Sequence, residues 1–271
     1  MSGDGSNSGG GSSSARDQIL GGIRRSLRRG PLGEAEAGAL AARLAAPPRN
    51  TIPARAAALD DAGKLDLFVK QAEGVQATVH RVASLDDVPE AVTAYLAANN
   101  LPSEVVMAPD PALDPIPWAD RPLLQISRGR PALASDAVSV TSCFAAVAET
   151  GTLMLASGAE HPSTLNFLPD THVVVVRADQ VVGSYEDAWT KLREQRPGAM
   201  PRTVNFVTGP SRTGDIELRL QLGAHGPRRL HLVVVDPAAE TADAAVKPPP
   251  RQQAKRRNRK SDTAAGDGGT E

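Results

Sequence analysis

Between Thr208 and Glu217 the chain reads T-G-P-S-R-T-G-D-I-E, which gathers two glycines, a proline, three hydroxyls, one arginine and two carboxylates. Ser211, Arg212 and Thr213 offer donors to an anion, and the exposed N–H groups of a turn add to them. Gly209 lets the backbone turn sharply or approach a ligand closely. Arg212 can grip a carboxylate through two parallel N–H···O bonds, and Asp215 is a candidate base. The segment follows V-N-F-V at 204–207, an apolar run that reads as a buried strand. Ligands of open α/β sheets bind beyond the carboxyl ends of strands. Gly, Pro, Ser and Asp also dominate ordinary turns, so the same ten residues read equally well as a capped turn with a surface arginine.

Two more polar segments interrupt apolar runs. A-E-T-G-T at 148–152 sets Glu149 beside Thr150, Gly151 and Thr152. A carboxylate there can serve as a nucleophile or general base, or as a hairpin residue that reaches solvent or caps turn N–H groups. In G-A-H-G-P at 223–227, His225 and Gly226 form a glycine-flanked turn whose backbone can donate to a ligand or to a neighbouring loop. S-G-A-E-H-P-S-T-L-N at 157–166 places His161 ahead of a proline, where it reads as a loop residue rather than a general base. His172, His225 and His231 all fall in the C-terminal part, but their spacing matches no metal site, and no metal is expected. The phosphate-loop, dinucleotide, zincin and lipase-type motifs do not occur.

The elements that must position these residues follow from periodicity. Helices are expected at 15–29, 33–45, 63–72, from Ser84 to about Asn99, and at 184–194. Ile19, Leu20, Ile23 and Leu27 share one face of the first helix, with arginines elsewhere; that face fits the chain's own core or an anionic partner surface. Strands are expected at 75–82, 104–107, 137–149, 152–156, 173–176, 204–207 and 229–235, with 110–120 a proline-rich loop. Residues 216–222 alternate as a strand, with a short helix opening at Thr213 as the other reading. The unbroken β-branched runs imply an α/β domain with a mixed or parallel sheet covered on both faces, three layers in all.

Composition narrows the function classes. Residues 1–14 and 238–271 lack apolar side chains enough to fold and are read as disordered tails, the second of them basic. Between them lie an N-terminal helical segment, 15–74, and an α/β domain, 75–237. The net charge of −1 gives no global pull toward nucleic acid. The basic run from Lys247 to Lys260 lacks interleaved aromatics, so specific nucleic-acid recognition is not expected. The single cysteine, Cys143, excludes an intrachain disulfide and any iron–sulfur cluster ligated by this chain alone. It sits among apolar residues and reads as a small core side chain. No signal peptide and no membrane span is seen, and a cytoplasmic protein is expected.

A-E-T-G-T-L at 148–153, L-P-D-T-H-V-V-V-V at 168–176, T-G-P-S-R-T-G-D-I-E at 208–217 and L-G-A-H-G-P-R-R-L-H at 222–231 occur in an order and spacing that resemble the lactate utilization protein C family, whose domain is called LUD. One departure is Gly214, where the family usually has a small residue such as alanine. The resemblance implies a NagB/RpiA/CoA-transferase-like fold. It implies a subunit that binds no cofactor itself and helps oxidise L-lactate to pyruvate, with iron–sulfur or cysteine-rich partner subunits holding the redox centres. A small carboxylate ligand is then expected at Arg212. Two other functions fit the residues. One is a self-sufficient transferase or isomerase of the CoA-transferase type with Glu149 as nucleophile. The other is a non-catalytic regulatory or scaffold protein.

Overall fold

The computed structural model describes residues 14–28, 30–216, 219–223 and 225–238, with backbone alone for 213–216 and 219–222. Apart from Ser14 and Ala238, the two stretches read as tails lie outside the described residues, and so does the basic run. The chain divides between Asn50 and Thr51 into two units. The first holds α1 (Ala15–Ser26) and α2 (Glu34–Ala45). Ser14 caps α1 by accepting from the Asp17 N–H at 3.2 Å. No residue of either helix is buried, and Ile19, Ile23 and Leu27 are exposed. Among the described residues no helix is long and apolar enough to cross a membrane.

The second unit runs α3 (Ala54–Ala57), α4 (Asp61–Gly74), β1 (Thr78–Val82), α5 (Val88–Ala98), β2 (Glu104–Met107), β3 (Gln125–Arg128), β4 (Val138–Ser142), β5 (Ala145–Val147), β6 (Thr152–Ala156), α6 (Thr164–Phe167), β7 (Thr171–Arg177), β8 (Val181–Val182), α7 (Tyr185–Gln195), β9 (Val204–Thr208), β10 (Arg212–Ile216), β11 (Arg219–Leu222) and β12 (Arg229–Val235). Six strands form one parallel sheet in the order β1-β12-β7-β4-β2-β3. A second sheet, β8-β5-β6-β9, is mixed, and β10 and β11 form an antiparallel pair. This is the α/β architecture with a parallel sheet expected from the β-branched runs.

Alternation along β7 and β12 divides the core. Val173, Val175, Val233 and Val235 pack with Val88, Val92, Tyr95 and Leu96 of α5. Val174, Val176, Leu232 and Val234 face the opposite way, onto Ala146, Leu153 and Leu155 of the second sheet and onto Leu65, Phe68 and Ala72 of α4. The far face of the second sheet buries Ala145, Val147 and Met154 against Ala188 and Leu192 of α7. Thus α4, read as part of an N-terminal helical segment, supplies core to the α/β unit. Truncating the fully buried Phe68 to alanine costs about 3–5 kcal/mol. The helices start where the caps require. Asp60 accepts from the Gly63 N–H at 2.8 Å, and Ser184 and Asp187 form a reciprocal capping box.

Three local readings need correction. The run 137–149 is not one strand but two, in different sheets. Gln180 Nε2 donates to the Cys143 carbonyl at 2.7 Å and the Phe144 N–H turns to Met154 at 2.9 Å, so the chain leaves the parallel ladder at Cys143. Every residue of β4 and of β5 is buried, which is why no break in hydropathy marks the switch. The expected loop after Asp110 contains two short 3-10 turns, at Pro111–Leu113 and Trp118–Asp120. The ten residues from Thr208 are half strand, because Arg212–Ile216 pairs with Arg219–Leu222 in a hairpin.

Candidate functional site

A cleft of about 540 Å³ opens where the two glycine-rich segments meet. Its polar wall is Thr208, Ser211, Arg212, His225, Asn166 and His172, and its apolar wall includes Phe167, Val207 and Leu230, while the Phe206 ring packs the other way, on Tyr185 and Trp189 of α7. Ser211 joins the two segments. Its N–H donates to the Pro227 carbonyl at 2.8 Å, its carbonyl accepts from the Gly223 N–H at 3.1 Å, and its hydroxyl oxygen accepts from the His225 N–H at 3.4 Å. The His225 N–H, a candidate ligand donor, is therefore engaged by Ser211. The Ser211 hydroxyl proton stays available to a ligand.

Two glycines fix this geometry against the C-terminal turn of α4. Gly209 has φ 72°, and a Cβ there would lie 2.4 Å from the Val75 carbonyl oxygen. Gly151 has φ 67°, and a Cβ there would lie 2.3 Å from the Ala72 nitrogen. Only glycine tolerates both the left-handed backbone and the contact. Arg212 is exposed and donates Nη2 to the Val75 carbonyl at 3.2 Å. No carboxylate pairs with it among the described side chains, and it lines the cleft.

The floor is His172, the second residue of β7 and completely buried. Its Nε2 lies 2.8 Å from Thr141 Oγ1, and its buried Nδ1 has no partner among the described residues. Burial alone pushes its pKa down to about 3, so the ring is neutral. Little in the local pattern signals this role, since His172 reads as the edge of a core strand. His231 pairs in register with Val173, and Leu230 pairs with His172, so the two histidines lie on opposite faces. His231 stacks on Tyr95 at 3.8 Å on the α5 side. Among the described residues no group of histidine, cysteine or carboxylate side chains can hold a metal.

Glu149 is not on the cleft wall. It sits half-buried in the β5–β6 turn, where its carbonyl accepts from Arg55 Nη2 at 2.5 Å and its N–H donates to Gly183 at 3.1 Å. Its neighbours Thr150, Gly151 and Thr152, expected as ligand-binding residues, are not on the cleft wall either, and the two threonines join a hydroxyl cluster with Thr208 and Tyr185. Thr152 Oγ1 lies 2.7 Å from both Thr150 Oγ1 and Thr208 Oγ1, and 3.0 Å from Tyr185 Oη. Gly226 lines the cleft beside His225. The side chains of Thr213 and Asp215 lie outside the described residues.

The cleft is at the amino ends of the parallel strands, next to the starts of β7 and β12. The strand that delivers the motif, β9, belongs to the second sheet and runs antiparallel to β6, so its carboxyl end emerges there. The crevice rule for parallel strands points elsewhere, to the carboxyl ends of β2 and β4, where the chain departs in opposite directions to β3 and β7. A different constellation occupies that place. Asp110, buried, accepts through Oδ2 from the Ser142 hydroxyl and through Oδ1 from the Ala112 N–H at 2.9 Å, and His161 Nε2 approaches Oδ2 at 3.4 Å. Residues 32 and 51 positions apart meet there, and no local spacing could have flagged them.

The family model described as LUD domain matches residues 65–235. A lactate utilization protein C of Geobacillus thermodenitrificans is 38% identical over 91 residues, covering 33% of this chain and 38% of that protein. The protein of the same name from Deinococcus radiodurans is 38% identical over 136 residues, covering 46% of this chain and 60% of its own length. The matched stretches thus span between about two fifths and three fifths of these relatives. A crystal structure of a DUF162 family protein from Deinococcus radiodurans aligns with 65% of this chain and 99% of its own, at 26% identity and a TM-score of 0.48. With more than half its length matched by the family model, the chain belongs to the LUD domain family.

Proposed function

We propose that this protein is a subunit of an L-lactate oxidation system, with the cleft around Arg212 as its ligand site. The observation that carries the reading is the convergence of T-G-P-S-R and G-A-H-G-P on one cleft with an unmatched guanidinium. The names of the relatives supply the metabolic setting. Oxidation of lactate to pyruvate releases two electrons and two protons, from the C2–H and hydroxyl bonds. Cys143 is buried, and its thiol is pushed up to about 12, first by burial, so it makes a poor metal ligand or redox group. Iron–sulfur partner subunits take the electrons in this reading. Arg212 anchors an anionic ligand of the system, and the Ser211 hydroxyl adds a donor.

Reconstitution tests this directly. The purified chain alone should not reduce a dye with L-lactate, the chain with its iron–sulfur partners should, and Arg212→Ala in the complex should lower the rate about a hundredfold. Full activity of the partners without this chain, or of the complex carrying Arg212→Ala, would overturn the reading.

A further inference from the structure

We infer that the cleft takes an organic anion much larger than lactate, with an apolar ring body and a hydrogen-bonding group at its buried end. The inference rests on the cleft being the ligand site, and three observations carry it. The first is size. A three-carbon hydroxy acid occupies on the order of 100 Å³, about three waters' worth, whereas the cleft holds about 540 Å³. Sites of that size enclose ligands of cofactor dimensions.

The second is the lining. Phe167, Val207 and Leu230 give the cleft an apolar wall that a lactate methyl would leave almost bare. Apolar wall of this kind is matched by a ring, not by water. The third is the division of polar groups. Arg212 stands exposed, with donors for an anion. His172 is wholly buried in the wall, with Nδ1 unpartnered. An unmet buried polar atom in a binding cleft marks where a ligand group belongs. Because the Thr141 hydroxyl can donate to or accept from Nε2, Nδ1 can present either a proton or a lone pair. It can therefore read a hydroxyl, a carbonyl or a ring nitrogen.

A matched pair of probes tests this with the full chain. Naphthoate carries a carboxylate on a fused apolar ring; a hydroxynaphthoate adds one hydroxyl on the far ring. Followed by probe fluorescence, both should bind. The hydroxylated one should bind about five- to tenfold more tightly, because it meets His172. Arg212→Ala should weaken both about tenfold, as should Phe167→Asp on the exposed part of the wall. His172→Phe should erase the preference between them, with thermal unfolding used to confirm that it folds. Should that variant not fold, the wild-type preference decides alone. Equal affinity for the two probes, binding indifferent to Arg212→Ala, or L-lactate binding where neither naphthoate does would overturn the inference. The last result would leave the lactate-oxidation reading standing, whereas naphthoate binding with an Arg212-independent dye reaction would do the reverse.

Discussion

The two ends of the parallel sheet each carry a polar cluster, and the clusters differ in how far their hydrogen bonds are met. At the carboxyl ends of β2 and β4, Asp110 is buried and accepts from Ser142 and Ala112, one donor to each carboxylate oxygen, with His161 Nε2 3.4 Å from Oδ2. Its acceptors are matched from within the protein. At the amino ends of β7 and β12, Arg212 has one backbone bond and His172 has a buried nitrogen with none. The first cluster ties the loop after β2 to the end of β4 and to the loop of His161. The second keeps guanidinium donors and a ring nitrogen in reserve beside a cleft. A general rule about strand ends selects the first place, whereas counting unmet polar groups selects the second.

Substitutions can break this contrast in graded steps. Gly209→Ala should have the largest effect on stability, because it adds a left-handed penalty to a Cβ 2.4 Å from the Val75 oxygen. A loss of about 4 kcal/mol in urea unfolding is expected. Asp110→Ala should come next, at about 3 kcal/mol, since it orphans the buried Ser142 hydroxyl and removes the cap on Ala112. Acid should then act through the histidines. His172 and His231 are both held neutral by burial, with pKa values of about 3. Well above pH 6.5 neither folded nor unfolded chain is protonated at these rings, so they leave stability unchanged. As pH falls from 6.5 toward 3, the unfolded chain binds protons that the folded chain refuses. Stability should drop by about 1.4 kcal/mol per pH unit for each ring. A flat stability profile from pH 6 to 4 would contradict the burial of both. Arg212→Ala should change stability least, within about 0.5 kcal/mol, because the side chain is exposed.

Much of the scaffold is legible in the chain, and the reasons are local. Ser84, followed by acids, announces the helical turn leading into α5 through its cap. The run Val173 to Val176 could only be a strand buried on both faces. The strand β3 is not legible, because Q-I-S-R is short, polar and at a sheet edge. Nor is the switch of sheets at Cys143, because it depends on Gln180, 37 positions away. The segments that line the cleft stand out as glycine-rich interruptions of apolar runs. Glu149 shares that signature but lies off the cleft wall, while His172 lacks it and forms the floor. Motif chemistry identifies which loops are unusual, but strand register decides which side chains meet.

The most direct test sets the two ends against each other in a strain lacking this gene, with growth on L-lactate normalised to the amount of folded protein. Arg212→Ala should leave folded protein at wild-type level and abolish growth. Asp110→Asn should lower the amount of folded protein and leave growth per folded molecule unchanged. Growth supported by Arg212→Ala, together with loss of growth per folded molecule in Asp110→Asn, would place the working site at the carboxyl ends and contradict the account.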